Sequence, residues 1–219
     1  MKTLSILLIL ASVFAQLPFG GSPPEKTEEE SPVKGWWMVS HFATPPTLYS
    51  RAGKGVIKAE SLGSRSSLYK KAGEKEKRLP ILSWNWKISN VVRSAIEKRK
   101  DRFDSAARVM VIFGEERRFR WMEGGEPTGM KIEYIWASHL PRGDVFDHPG
   151  EKSCKVFVLE SGEGRAGQWV SERRNIQKDF KTAFGTEPPE VLAIGIQTDT
   201  RSSNEMVTTY FSDPTLTKK

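Results

Sequence analysis

The sequence predicts an all-β fold, an antiparallel β-sandwich with one or two short helices. Eight short segments are rich in β-branched and aromatic residues, and Gly, Pro, Asp or Ser separates each from the next. Helical patterns are too few to alternate with these strands, so a parallel α/β sheet is not expected. The eight predicted strands are KGVIKAES, PILSWNWKIS, ARVMVIFG, GMKIEYIWAS, CKVFVLES, GQWVSERR, EVLAIGIQTD and MVTTYFSD.

The N-terminus precedes this strand-rich region and has the pattern of a secretory signal peptide over residues 1–15. Its apolar run, 4–14, is too short to span a bilayer as a helix, and small residues follow it. Residues 16–34 are rich in Pro, Gly and Glu, which is typical of a flexible leader. We therefore expect a periplasmic or secreted protein with a single β-sandwich domain at 35–216 and no transmembrane segment after signal cleavage.

The two helical patterns are brief. Residues 89–102, SNVVRSAIEKRKDR, could form a turn or two of helix. Residues 175–185, NIQKDFKTAFG, end at Gly185 with Pro188 and Pro189 just beyond, which is typical of a helix C-terminus.

In the strand PILSWNWKIS, side chains two residues apart share a face. Leu82, Trp84 and Trp86 therefore point one way, while the small or polar residues between them point the other way. This alternation favours a core position for both tryptophans, and a ligand platform is the alternative. Farther along, Trp169 and Arg173 share one face of the strand GQWVSERR.

Two central strands carry a charge on a face that is not fully polar. Arg108 lies in ARVMVIFG and Glu133 in GMKIEYIWAS. Buried charges are rarely left unpaired, so we expect Arg108 to contact a carboxylate, either Asp104 or Glu133.

The chain has 34 basic and 27 acidic residues, a formal net charge of +7. Because basic runs are interleaved with acids and the protein is expected to be exported, we expect no nucleic-acid partner. An anionic polysaccharide and an anionic membrane surface are the two partners that fit the basic excess better. Cys154 is the one cysteine, so no intrachain disulfide forms, and we expect a buried thiol.

The chain resembles a bacterial family, domain of unknown function 3047. The resemblance runs from about residue 82 to 213, more weakly back to 35, through LSWNWKI, DSAARVMVIFG, IEYIWAS, LPRGDVF, the segment from KVFVLES to IQTDT, and TTYFSD. It implies an exported bacterial protein of uncharacterised function. The same order of elements looks like the jelly-roll sandwiches called galactose-binding-like domains and carbohydrate-binding modules, so the resemblance implies that fold and not a function.

The sequence departs from the family at two places. Relatives carry paired aspartates before AAR, where this chain has Phe103 before Asp104. Relatives also continue with TDTDNT, where this chain reads TDTRSS. If those positions bind a metal in relatives, the ligand set is weaker here, because calcium needs several oxygen ligands at once. We expect no cofactor and no metal, with a structural calcium as the alternative. The remaining oxygen donors are Asp199, Asn204 and Asp213.

Sugar binding needs flat aromatic faces with polar groups nearby. Trp121 lies in a charged, Gly-rich connection and is the tryptophan expected to be best exposed. The candidate ligand-binding residues are Trp121, Asp104, Arg108, Glu133, Trp136 and Arg173.

No nucleophile elbow is present, and His139 and His148 lie in a loop segment that is not typical of a zinc site. We therefore expect a noncatalytic carbohydrate-binding protein and name no catalytic residue. A glycan hydrolase with a carboxylate pair and a protein-interaction module of the cell envelope are the alternatives.

Overall fold

The computed structural model describes residues 31–114 and 127–219. In these ranges thirteen strands and one helix form a β-sandwich of the jelly-roll type. The elements are β1 (Trp37–Ser40), β2 (Leu48–Arg51), β3 (Val56–Leu62), β4 (Arg65–Lys71), β5 (Ile81–Ile88), β6 (Ser105–Gly114), β7 (Met130–Ala137), β8 (Val145–Asp147), β9 (Cys154–Ser161), β10 (Val170–Asn175), α1 (Ile176–Phe184), β11 (Glu190–Asp199), β12 (Met206–Ser212) and β13 (Thr215–Thr217).

One sheet has seven strands in the order β1-β4-β11-β6-β7-β9-β8. The other has the order β10-β5-β12-β3-β2, and β13 also pairs with β5. Both β12 and β13 fit along β5 because β12 pairs with residues 86–88 and β13 with 81–83. The pairing is antiparallel as predicted except between β7 and β9, which run parallel.

The core lies between the two sheets and is rich in aromatic rings. Trp84 and Trp86 of β5 face Tyr134 and Trp136 of β7, with ring centroids 5.4 Å and 5.9 Å apart for the two facing pairs. Trp84 is 2% exposed and Trp86 is fully buried, which confirms the predicted core position. Val33, inside the predicted leader, is also buried in this core.

A second apolar layer covers part of the other face of the seven-stranded sheet. There the ring of Tyr69 on β4 lies across Gly195 of β11, and Trp37 of β1 packs 5.6 Å from that ring. A Cβ added to Gly195 would lie 2.5 Å from a Tyr69 ring carbon and 2.8 Å from Met110 Cε. Glycine at this position therefore allows the ring to lie directly on the sheet.

The predicted helix with its end at Gly185 is confirmed as α1. The side chain of Asn175 accepts a hydrogen bond from the Lys178 amide, and Gly185 adopts the left-handed conformation with φ 70°. Ile176 and Phe180 are buried on its inner face.

Residues 89–102, by contrast, form turns and not a second helix. The Ala95 amide donates to Val92 and the Arg99 amide to Ile96, so each hydrogen bond closes one isolated turn. Burial of Val91, Val92 and Ala95 in the main core holds this segment as a succession of turns.

All eight predicted strands are present, and β1, β2, β4, β8 and β13 are additional. Across the described ranges, no helix is long and apolar enough to cross a membrane.

Candidate functional site

Arg108 lies at the centre of a buried ion cluster on the outer face of the seven-stranded sheet. Its Nη1 is 3.7 Å from Glu133 Oε2 and its Nη2 is 3.8 Å from Asp199 Oδ2. Nη2 also donates to the Phe103 carbonyl, and the guanidinium lies 4.1 Å from the centroid of the Phe103 ring. The predicted contact between Arg108 and Glu133 is thus confirmed, and Asp199 is a further carboxylate that sequence reasoning did not place there.

The two carboxylates of the cluster respond differently to their surroundings. Burial opposes ionisation of Glu133, but Arg108 and the other nearby cations outweigh it and lower its pKa. Burial raises the pKa of Asp199, although Arg108 and Arg65 lie beside it. The side chains of Arg108, Glu133 and Asp199 are at most 4% exposed. The cluster therefore has no open surface for a glycan, and its main role is in holding four neighbouring strands together.

Asp104 has a structural role close to this cluster. Its carboxylate accepts hydrogen bonds from the amides of Ser202 and Ser203 and so fixes the turn that follows β11. It is not the carboxylate within ion-pair distance of Arg108, so of the two predicted partners the structure selects Glu133.

The remaining weak candidates for a calcium site have separate surroundings. Asp199 belongs to the ion cluster, whereas Asp213 pairs with Arg51 at 3.0 Å on the other sheet. Asn204, with φ 57°, lies against Gly63. The expectation that no calcium binds here stays a prediction.

A different group of described residues has donor atoms close enough for a metal ion. One ligand atom each from Glu133, Glu151 and Cys154 lies within 4.8 Å of the others. However, Lys131 Nζ is 2.8 Å from Glu151 Oε2, and Arg108 already faces Glu133. Burial also raises the pKa of the Cys154 thiol well above its usual range. These groups are therefore better described as an extension of the ion cluster.

Of the two aromatic candidates, one is buried in the core and the other lies outside the described residues. Trp136 is fully buried on the core face of β7, where its indole donates to the Gly162 carbonyl. Its ring has no accessible face and does not meet Arg108 or Glu133. Trp121 lies outside the described residues.

Arg173, the last candidate, lines an open polar groove on the outer face of the six-stranded sheet. The groove has a volume of about 450 Å³ and is formed where β10, β5 and the end of β12 lie side by side. Most of its lining residues carry a hydroxyl, amide or charged group, among them Ser83, Asn85, Ser171, Arg173, Ser212 and Asp213. We call this surface the polar groove.

An aromatic pair lies next to the polar groove on the same face. Trp169 is 46% exposed, and its ring centroid is 6.3 Å from that of Tyr210. Lys87 Nζ lies 5.3 Å and 4.6 Å from the centroids of these two rings. Trp169 precedes β10 by one residue, so it shares a face with Ser171 and Arg173. The sheet thus presents an aromatic surface followed directly by hydrogen-bonding groups.

A second pocket lies on the other side of β10, at the open edge between the two sheets. It has a volume of about 440 Å³, and we call it the edge pocket. Its lining residues are Arg142, Gly143, Val158, Leu159, Glu172 and Arg174. Glu172 borders both the edge pocket and the polar groove.

Glu172 has an unusual ionisation behaviour. Burial, and then the neighbouring Glu160 carboxylate, raise the pKa of Glu172 to about 7, against the lowering effect of Arg142 and Arg165. Glu172 Oε1 is buried without a hydrogen-bond partner among the described residues. Glu160, by contrast, is held by Arg165 at 2.7 Å and Arg142 at 3.3 Å.

The raised pKa of Glu172 predicts a pH-dependent stability. A carboxyl with a higher pKa in the folded than in the unfolded state stabilises the fold below the unfolded pKa and loses that contribution as pH rises to about 7. Allowing for the partial exposure of Glu172, we expect the free energy of unfolding of the native protein to fall by about 1–2 kcal/mol between pH 5 and pH 8. The Glu172→Gln variant should not show this fall. Urea unfolding at both pH values measures this difference.

The matched control for this experiment is Glu187→Gln. Glu187 is 81% exposed and pairs with Lys181, so its replacement leaves the pH dependence unchanged. Equal pH dependence of the native protein and Glu172→Gln would contradict the assignment.

Sequence reasoning thus missed Trp169 as the exposed tryptophan and Glu172 as the perturbed carboxyl. The shared face of Trp169, Ser171 and Arg173 was readable from their spacing. The proximity of Glu160 to Glu172 was not, because β9 and β10 belong to different sheets.

The model of the family described as "Protein of unknown function (DUF3047)" matches residues 35–215. No curated protein matches the chain.

Solved structures of similar shape include the xyloglucanase domain of a type three effector from Sinorhizobium fredii, with 14% identity, a TM-score of 0.45 and coverage of 84% of this chain and 94% of that one. A family 12 xyloglucanase from Bacillus licheniformis has 11% identity, a TM-score of 0.42 and coverage of 84% and 87%. A family 30 carbohydrate-binding module from Clostridium thermocellum has 10% identity, a TM-score of 0.41 and coverage of 84% and 93%.

Proposed function

We propose that this chain, which belongs to the DUF3047 family of proteins of unknown function, binds a carbohydrate without cleaving it. The binding surface is the polar groove together with Trp169 and Tyr210. The observation that carries the proposal is the exposure of Trp169, 46%, at the end of a groove lined by hydroxyl, amide and guanidinium groups.

This combination matches the chemistry of a sugar ring. One face of a pyranose is apolar and packs on an aromatic ring, while its hydroxyls need both donors and acceptors. The Ser171 hydroxyl donates a hydrogen bond to the side-chain oxygen of Asn85 at 2.5 Å. The backbone N–H of Asn85 donates to Ser212 Oγ at 2.8 Å. These contacts hold the polar side chains in place before a ligand arrives, which lowers the entropy cost of binding.

The N-terminal sequence supports a location outside the cytoplasm. The signal-like pattern at residues 1–15 and the leader at 16–34 are consistent with export to the periplasm or the medium. Envelope and extracellular polysaccharides are therefore the carbohydrates we propose as ligands.

Removal of the exposed ring tests the proposal. In a tryptophan-fluorescence titration of the full chain against neutral and acidic polysaccharides, we expect saturable binding of at least one of them. Trp169→Ala should weaken that binding at least about tenfold, because the sugar loses its stacking partner. Leu48→Ala is the matched control, since Leu48 is 67% exposed on β2 of the same sheet, on the strand at the opposite edge from β10.

The same mixtures distinguish the alternatives. Saturable binding without shortened products supports a binding protein, whereas release of oligosaccharides would support a glycan hydrolase. The proposed site would be overturned if no polysaccharide of the panel binds, or if the native protein and Trp169→Ala bind with equal affinity.

A further inference from the structure

The edge pocket differs from the polar groove in its charge. Two guanidinium groups line it, from Arg142 and Arg174, and a third, from Arg165, lies nearby because it shares the partner Glu160 with Arg142. The two carboxylates that pair with these cations are Glu160 and Asp179. Three cations and two anions leave one positive charge uncompensated whenever Glu172 is protonated. Arg142 is 61% exposed, so this charge is within reach of a ligand from solvent.

The pocket also holds a hydrogen-bonding group without a partner. Glu172 lines the pocket, and in the described part of the chain its Oε1 is buried without a hydrogen bond. The Trp86 indole, fully buried in the core, faces the same carboxyl and favours its ionised form. Buried polar groups normally have partners, so their absence at a pocket is the signature of a polar ligand or of bound water.

We infer that the edge pocket binds the carboxylate of an acidic sugar, so that the glycan recognised in the polar groove is a polyuronate or another carboxylate-bearing polysaccharide. This inference rests on the proposed function. Glu172 borders both surfaces, so a glycan lying along the polar groove reaches the edge pocket around the free edge of β10.

The recognition has a defined pH dependence. Arg142 and Arg174 attract the sugar carboxylate, and protonated Glu172 donates a hydrogen bond to it. Glu172 is faced by Glu160 from β9, by Arg142 from the connection between β7 and β8, by Arg165 from the connection between β9 and β10, and by the Trp86 indole from β5. When Glu172 ionises, the local excess of positive charge disappears and the two carboxylates repel each other. Binding of the acidic glycan should therefore weaken as pH rises through about 7.

Titration calorimetry of the full chain with trigalacturonate and with its methyl ester tests this inference, because the ester keeps the sugar backbone and removes the charge. At pH 5.5 we expect the acid to bind at least tenfold more tightly than the ester, and at pH 8.5 we expect most of this preference to be lost. Acetate as a third ligand separates a free carboxylate from one carried by a sugar.

Three variants assign the effect to the edge pocket. Glu172→Gln should keep the preference for the acid at pH 8.5, and Arg142→Ala should abolish it at pH 5.5 while the affinity for the ester stays unchanged. Arg78→Ala is the control, because Arg78 is 84% exposed and neither Arg78 nor its ion-pair partner Glu190 lines the edge pocket. Thermal unfolding monitored by circular dichroism confirms that each variant is folded.

The outcomes separate this inference from the proposed function. Equal affinity for acid and ester, or a preference that survives Arg142→Ala, overturns the edge pocket alone. Acetate binding as tightly as trigalacturonate overturns sugar recognition there. No binding of either oligosaccharide overturns the edge pocket, whereas the polysaccharide panel, which includes neutral glycans, decides the proposed function separately. Tight binding of the acid that Trp169→Ala leaves unchanged supports the edge pocket while overturning the polar groove.

Discussion

Replacing Arg108 with methionine is expected to lower the free energy of unfolding by about 3–5 kcal/mol. The side chains of Glu133 and Asp199 are at most 4% exposed, and the substitution removes the cation between their carboxylates. Breaking a buried ion pair from one side is costly because the remaining charge keeps its desolvation penalty. Asp199 retains Arg65 at 3.6 Å, but Glu133 has no second ion pair of this kind among the described residues.

Urea denaturation at pH 7 measures this loss. The matched control is Arg78→Met, which breaks an exposed ion pair with Glu190 and should cost less than about 1 kcal/mol. Adding Glu133→Gln to Arg108→Met should recover part of the stability, because it removes one uncompensated charge. A loss below about 1 kcal/mol for Arg108→Met would show that the cluster does not stabilise the fold.

Replacing Gly195 with valine is expected to destabilise the protein by about 3 kcal/mol, near the upper end for overpacked cores. The new Cβ would lie 2.5 Å from a ring carbon of Tyr69, and Tyr69 is fully buried and cannot rotate away. The backbone of β11 or the ring must therefore shift, in a strand that pairs on both sides.

Thermal and urea unfolding of Gly195→Val measure this cost. Gly164→Val is the control, since a Cβ at Gly164 would meet no atom within 4 Å. The double variant with Tyr69→Ala should be less destabilised than the sum of the two single variants, because the smaller residue makes room for valine. Exact additivity would mean that the contact with Tyr69 is not the cause.

The strands that sequence reasoning identified share a strong local signal. KGVIKAES and PILSWNWKIS alternate apolar and polar residues, and EVLAIGIQTD is a nearly continuous apolar run. The strand β4, RSSLYKK, has a weaker signal because serine occupies two of its four buried positions, Ser66 and Ser67. The helix α1 was predictable because Asn175 and Gly185 cap it at both ends.

The parallel pairing of β7 with β9 and the turns at 89–102 were not predictable in the same way. Both depend on which distant surface a segment packs against, and no local pattern records that.

The candidate site was predictable in part, for a related reason. A charge in an apolar strand must find a partner, so the contact of Arg108 with Glu133 followed from the sequence. Whether a tryptophan is buried depends on what covers its face of the sheet. Trp136 and Trp169 both lie on or beside strands, but the six-stranded sheet covers the face of Trp136, whereas Trp169 lies on the outer face of that sheet and is 46% exposed.

The order of strands has a consequence for how this protein is made. In the seven-stranded sheet β11 lies between β4 and β6, and in the six-stranded sheet β12 lies between β5 and β3. Both central strands come from the last part of the chain, 190–212. Neither sheet can therefore be completed before nearly all of the chain has been synthesised, a delay of about ten seconds or more at roughly 5–20 residues per second. During that time the apolar strands β5 and β6 lack their partners, so we expect the nascent chain to stay unfolded until residues 190–212 emerge from the ribosome.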